Sequence, residues 1–401
     1  MSRFLFVVPP LVGHTNPTIG VAARLVELGH EVAWAGHEEF VRHLVGPKAA
    51  VFHCAGPVLG PEGAERPPEM RGPAALKFLW ENFLAPLARG MVPGVRAACA
   101  GFRPDVLVVD QQAVAGAIVA NSLGLPWATS ATTSAEFTDP LASMPKVEEW
   151  LRELLQGLQT EFGDTRLDMD LRFSPFLTLA FTTRALIGET AHENVRFVGP
   201  SITERLDNDD FPDAELDDSR AKVLLTLGTA NADAGERFLR EAVTALVERA
   251  DRVQAIVADP AGALTEHPGG GAVVAARIPV LRLLKRLDAV ICHAGHNTVC
   301  ETLSHGLPLV VAPIRDDQPI VAQQVVDCGA GVRLRFNRAT AEQIGRAVDS
   351  VLSDVDHRAA AERVRDSFRA AGGAASAAKH LELLAHDATA TALAGTGGTT
   401  A

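Results

Sequence analysis

The stretch 289–306, AVICHAGHNTVCETLSHG, constrains this chain more than any other. A short apolar strand runs into Ala294-Gly295, and Asn297-Thr298, two good capping residues, open a helix. A strand, a turn of small residues and a helix start together bind phosphate. The first-turn amides point outward unpaired, and the helix dipole favours negative charge there. The same turn carries an imidazole, His293, and Glu301 lies one helical turn beyond Asn297 on the same face. After the next apolar strand, 308–312, come Asp317 and Gln318. A diphosphate, a ribose and a hexose call for those groups in that order.

The rest of the chain supplies a frame for this segment. Apolar runs at 4–8, 31–35, 105–109, 126–129, 177–181 and 195–198 alternate with helical stretches, among them 16–29 and 114–123. A second series of strands falls at 222–227, 253–258, 273–276, 288–292, 308–312 and 332–334. Near-continuous apolar strands between helices predict parallel sheets covered on both faces, an α/β class. Residues 204–220 are rich in carboxylates and read as a solvated linker between a first domain, 1–203, and a second, 221–373. A last helix, 374–386, is expected to cross back to the first domain, and 387–401, rich in small residues, to be disordered. The Pro- and Gly-rich stretch 56–73 reads as a mobile loop, and 134–176 as an insertion with a helix at 147–158.

Composition narrows the function. The net charge of −12 over 401 residues argues against binding nucleic acid or an anionic membrane surface, both of which need clustered Lys and Arg. No apolar run reaches the roughly 18 residues needed to span a bilayer. Five cysteines without ligand spacing read as free thiols in a reducing cytoplasm. No G-x-G-x-x-G follows the first strand, against a nicotinamide or flavin enzyme. No metal site is read: Asp168-Met169-Asp170 falls in the helical insertion and is expected to be solvated.

With His293, Gly295, Asn297, Thr298, Glu301, Asp317 and Gln318 in register, the segment resembles the nucleotide-sugar signature of family 1 glycosyltransferases. That signature is H-x-G-x-N-[ST]-x-x-E, followed after the next strand by [DE]-Q. The resemblance covers about residues 4–384. It implies the GT-B fold: two Rossmann-like, doubly wound domains facing an interdomain cleft, with the acceptor on the first and the nucleotide sugar on the second. It also implies inverting, metal-independent transfer with no cofactor beyond the nucleotide-sugar co-substrate.

Such a transfer needs a base for the acceptor hydroxyl and donors for the departing diphosphate. His14, in PPLVGHTNP, is expected in the loop after the first strand, and GHTNP resembles the G-H-x-N-P motif of bacterial macrolide glycosyltransferases. Asp110, ending DVLVVD, is expected to hold the other ring N–H of His14. The diphosphate is expected on His293, the Asn297-Thr298 backbone and Gly228-Thr229, and the ribose on Glu301. Ile278 sits where the family packs the nucleotide base. Arg277 replaces the Trp often found beside it, and Ala294 stands where the family more often has Gly, a change the turn is expected to tolerate. Asp317-Gln318 resembles the pair that contacts sugar hydroxyls, favouring UDP-glucose over a dTDP-deoxysugar, because a buried carboxylate without a partner is destabilising.

Phe78, Trp80, Phe83, Phe137, Met144 and Trp150 could line a pocket for an apolar natural-product aglycone or simply pack the core. The aglycone, the linkage atom and a monomeric or homodimeric state stay open. Two rivals are a non-hydrolysing sugar-nucleotide epimerase, which shares the architecture, and a non-catalytic glycosyltransferase-like partner protein.

Overall fold

The computed structural model describes residues 1–58, 70, 72–138, 140–142, 144–163, 169–203, 211–228, 235–264 and 268–396. The first lobe is built on seven parallel strands: β1 (Arg3–Val7), β2 (Glu31–Gly36), β3 (Val51–His53), β4 (Val106–Asp110), β5 (Trp127–Ala131), β6 (Leu177–Ala180) and β7 (Val195–Phe197). Their order is β3-β2-β1-β4-β5-β6-β7. The second lobe has six: β8 (Ala221–Thr226), β9 (Val253–Ala258), β10 (Val273–Ala275), β11 (Ala289–Cys292), β12 (Leu309–Val311) and β13 (Gly331–Arg333), in the order β10-β9-β8-β11-β12-β13. Each sheet therefore reverses direction once, between β1 and β4 and between β8 and β11. A crevice opens at the carboxyl ends of strands where such a reversal occurs, and open α/β sheets bind ligands there.

The strands form where they do because both faces are covered. Leu107 and Val109 of β4 pack with Trp80, Phe83 and Met91 on one face, and Val106 and Val108 with Phe4 and Phe6 on the other. β3, a three-residue edge strand, was not among the strands expected from the sequence. The final helix, Gly373–Thr396, buries Ala377, Ala378, Leu381 and Ala385 among the first-lobe residues Phe4, Val21 and Leu25. Glu382 reaches His30 Nε2 at 2.9 Å, which ties the helix to the first lobe. The helix extends to Thr396, so the tail is helical further than its small residues suggest, and 397–401 lie outside the described residues.

Two expectations change here. The acidic stretch is not a solvated linker over its second half. Phe211 and Leu216 are buried, Asp213 pairs with Arg282 at 2.7 Å, and Asp218 with Lys222 at 3.0 Å. Charge complementarity thus seats residues 211–220 on the second lobe, while 204–210 lie outside the described residues. Asp170 is likewise not free in solvent: the Arg172 guanidinium grips its carboxylate and also holds Glu136 at 2.6 Å. Asp168 and most of the 56–73 stretch lie outside the described residues. Among the described residues no helix is long and apolar enough to cross a membrane, and all five cysteines are free thiols.

Candidate active site between the two lobes

His14 lies in a helix rather than in the loop expected for it. The first helix, Val12–Glu27, begins two residues earlier, with the amides of His14 and Thr15 both directed at the Leu11 carbonyl. Pro17 supplies no N–H, so the carbonyl of Gly13, four residues before it, has no helical donor. The second lobe fills that place: Asn297 Nδ2 donates to Gly13 O at 2.9 Å.

At the carboxyl end of β4, Asp110 is fully buried and accepts from the Gln112 amide at 2.9 Å. His14 Nδ1 lies 2.9 Å from Asp110 Oδ1, and Thr132 Oγ1 lies 2.8 Å from the same ring nitrogen. The Thr132 hydroxyl donates its one proton to Asp110 Oδ2 at 2.7 Å. It can therefore only accept from the imidazole. Both neighbours of Nδ1 are acceptors, so Nδ1 carries the hydrogen and Nε2 keeps its lone pair. Burial works to lower the His14 pKa, but the Asp110 charge and hydrogen bond, helped by Asp317, outweigh it and hold the pKa above 6.5. Thr132 had no signal in the sequence, since nothing local distinguishes it from the hydroxyls around it.

Across the crevice, at the carboxyl ends of β8 and β11, stands His293. Backbone from two loops closes on its ring. A β-carbon on Gly228 would come within 2.7 Å of the ring, and one on Gly295 would collide with it. Gly228 also has φ +71, so this position suits glycine twice over. Burial, with the Arg315 charge nearby, pushes the His293 pKa down to about 4. The ring bonds the Thr226 backbone, and Nδ1 has no partner among the described residues. His293 is thus a neutral ring with one open nitrogen. Arg315, on the loop after β12, brings a cation to this edge and was not singled out from the sequence.

The helix after this turn is His296–Leu303, with Gly295 as its N-cap residue. Asn297 does not cap it, because it is already the second residue of the helix, and its Nδ2 donates to Gly13 O instead. Ala294 adopts φ +65, where a β-carbon costs about 1 kcal/mol, so the replacement of Gly is not free. Thr298 is the third residue of the helix, and Glu301 is buried, facing a crevice with Asn16 and Ser201 of the first lobe that has room for about one water, some 20 Å³. Asp317 accepts from Thr133 Oγ1 across the lobes at 2.6 Å, and burial raises its pKa. Gln318 turns its Oε1 back on its own loop, accepting from the amides of Ile314 at 2.9 Å and Arg315 at 3.1 Å. Ile278 is half-buried against the second-lobe core, and Thr229 lies outside the described residues.

The aromatic residues divide. Trp80, Phe83 and Phe137 are core, each at most 3% exposed, because the sheet faces needed bulk there. Met144 and Trp150 are half-buried against the same cluster as Trp80, and Phe78 is half-buried.

Residues 242–384 match the family model for the C-terminal domain of erythromycin biosynthesis protein CIII-like proteins. The chain is 30% identical over 409 residues to 4'-demethylrebeccamycin synthase of Lentzea aerocolonigenes, covering 92% of this chain and 96% of that one. It is 27% identical over 389 residues to the NDP-glycosyltransferase YjiC of Bacillus subtilis (strain 168), covering 93% and 95%. Among solved structures, the glycotransferase of kitacinnamycin superposes with a TM-score of 0.78 at 22% identity, covering 96% and 98%. The spinosyn rhamnosyltransferase SpnG does so at 0.75 and 24%, covering 95% and 100%. Two doubly wound lobes with their switch points face to face, and a relative at this identity along the whole chain, make this protein a family 1 glycosyltransferase of the GT-B fold, in the natural-product branch.

Proposed function

We propose that the protein transfers a hexose from a nucleoside diphosphate sugar to a hydroxyl of an apolar natural-product acceptor, with inversion and without a metal. His14 Nε2 takes the acceptor proton as the oxygen attacks the anomeric carbon. The bond from that carbon to the diphosphate breaks, and its electron pair leaves with the nucleotide. Asp110 and Thr132 keep the imidazole in the useful tautomer and stabilise the imidazolium that forms. Gly228, His293, Gly295 and the Asn297-Thr298 backbone receive the diphosphate, with Arg315 as the nearby cation. Glu301 takes the ribose and Asp317 the sugar. Phe78, Met144 and Trp150 stay as candidates for the acceptor wall.

One observation carries this reading. Adjacent residues link His14 to Asp317, 303 positions further on and in the other lobe: Thr132 Oγ1 lies 2.8 Å from the His14 ring, and the Thr133 hydroxyl donates to Asp317 at 2.6 Å. The base and the sugar-binding acid thus share one electrostatic neighbourhood, which a displacement at the anomeric carbon requires and an unrelated pair of residues does not.

UDP-glucose is favoured over a dTDP-deoxysugar because Asp317 is buried and needs hydroxyls to replace Thr133 when the donor enters. The relatives point both ways: one is named zeaxanthin glucosyltransferase, of Pantoea ananas, and another demethyllactenocin mycarosyltransferase, of Streptomyces fradiae. The test is incubation with UDP-glucose or dTDP-deoxysugars and a mixed library of phenols and alcohols. The expected result is an added hexose by mass and an inverted anomeric centre by NMR, with UDP-glucose the better donor. Sugar-nucleotide turnover without any acceptor would instead identify an epimerase, and no reaction with any acceptor would leave the partner-protein role.

A further inference from the structure

His14 sits on the least supported turn of the first helix. The N-cap residue, Leu11, offers no side-chain cap. Pro17, inside the helix, lacks the N–H that Gly13 O would accept and crowds that carbonyl with its ring. The peptide joining Gly13 to His14 keeps a helical bond at its N–H end, where the His14 amide donates to Leu11 O at 3.1 Å. At its carbonyl end the partner comes from the second lobe, Asn297 Nδ2 at 2.9 Å. A peptide unit is planar, so a bond at each end fixes its rotation, and with it the direction in which the His14 side chain leaves the backbone. The ring meets Asp110 at 2.9 Å and Thr132 at 2.8 Å, distances that a small turn of that plane would lengthen.

Asn297 is the second residue of the helix that opens the donor turn, and the residue before it also reaches across: the His296 ring bonds the Phe181 backbone. Further along the seam the Thr133 hydroxyl donates to Asp317 at 2.6 Å, and Ser134 Oγ to Gln324 Oε1. The lobes therefore hold together without Asn297. Its amide has a more local effect, which is to tie the donor turn to the peptide that carries His14.

Building on the reading of His14 as the base, we propose that Asn297 is a positioning residue for that base. Its side chain replaces the hydrogen bond that Pro17 removes, so the imidazole is set against Asp110 when the donor lobe is seated and is slack when the lobes part. Water can satisfy Gly13 O in the open protein, but a mobile water does not fix the plane of the peptide.

The experiment is a double-mutant cycle on the full chain, Asn297→Ala with and without Pro17→Ala. Pro17→Ala restores an N–H to Gly13 O from within the helix and so makes the Asn297 amide dispensable. Both substitutions put Ala, the best helix former, inside a helix, so folding is retained. Two NMR readouts follow the ligand-free protein: exchange of the His14 amide and the pH titration of its ring. Asn297→Ala alone is expected to speed the exchange about fivefold, the worth of one ordinary hydrogen bond. It is also expected to move the ring titration down toward 6.5, as Asp110 loses its hold. In the Pro17→Ala background Asn297→Ala is expected to change neither. An unmoved ring titration in Asn297→Ala overturns the proposal, as does an equal effect in both backgrounds. Calorimetry with UDP adds a further way to lose: a fall in affinity with the ring titration unmoved assigns the amide to the diphosphate instead. None of these readouts needs an acceptor. A chain that passes this cycle while His14→Ala keeps its turnover refutes the base reading and not the link between Asn297 and His14.

Discussion

Each lobe places a histidine at its switch point, on opposite sides of it, and the two lobes then do opposite things with it. His14 follows β1 at one switch point, and His293 follows β11 at the other. Both are largely buried, so both feel the desolvation that disfavours a charged ring. His14 has a carboxylate at 2.9 Å and ends with a raised pKa. His293 has Arg315 and a backbone carbonyl, and ends near 4. An imidazole that gains a proton during turnover needs an anion beside it. One that lines an anion's seat has to tolerate a cation there instead. The fold offers the place, and the neighbouring charge selects the chemistry.

The strongest way to break the comparison is His14→Ala. Turnover is expected to fall by about 1000-fold, while nucleotide affinity by calorimetry stays within a few-fold, since the diphosphate groups sit on the other lobe. Parallel loss of both would show that His14 holds the donor and is not a base.

Second in size is the acid stability that separates the rings. The folded chain keeps His293 neutral down to about 4, whereas the unfolded chain protonates it near 6.5. Its contribution is present above 6.5 and is lost as pH falls toward 4, by roughly 3 kcal/mol at most. His293→Gln should flatten the fall in unfolding free energy across that window, measured by denaturant titration at several pH values. An unchanged slope would mean that His293 is solvated.

The smallest effect sharpens the His14 side. Thr132→Val is expected to slow transfer by about tenfold and to disturb the proton order at Nδ1, with Thr132→Ser restoring it. The pH profile carries the diagnosis. As the proposed base, His14 has to be unprotonated, so activity is expected to rise with pH through a pKa held above 6.5, and Thr132→Val should displace that rise. A rate loss without a displaced profile would reduce Thr132 to packing.

Much of this was legible before any coordinates. Strands such as β4, VLVVD, show themselves because a strand buried on both faces has to be apolar throughout. The turn at 293–298 shows itself as a strand-turn-helix unit because its parts are contiguous. β3 was not read from the sequence, although the equally short edge strands β7, β10 and β13 were. The aromatic stripe left pocket and core open, since a large ring in a sequence looks the same in either, and burial places Trp80, Phe83 and Phe137 in the core.

Thr132 was hidden for another reason: it matters through atoms 22 and 118 positions away. What the amino-acid order determined alone was the class of fold and the strand-turn-helix unit that carries His293, because each rests on local periodicity and spacing. What the tertiary structure decided was which nitrogen of His14 is free, which carboxylates it senses and which ring resists protonation. The first of these depends on distances of about 3 Å between residues 96 and 118 positions apart, and only folding brings them together.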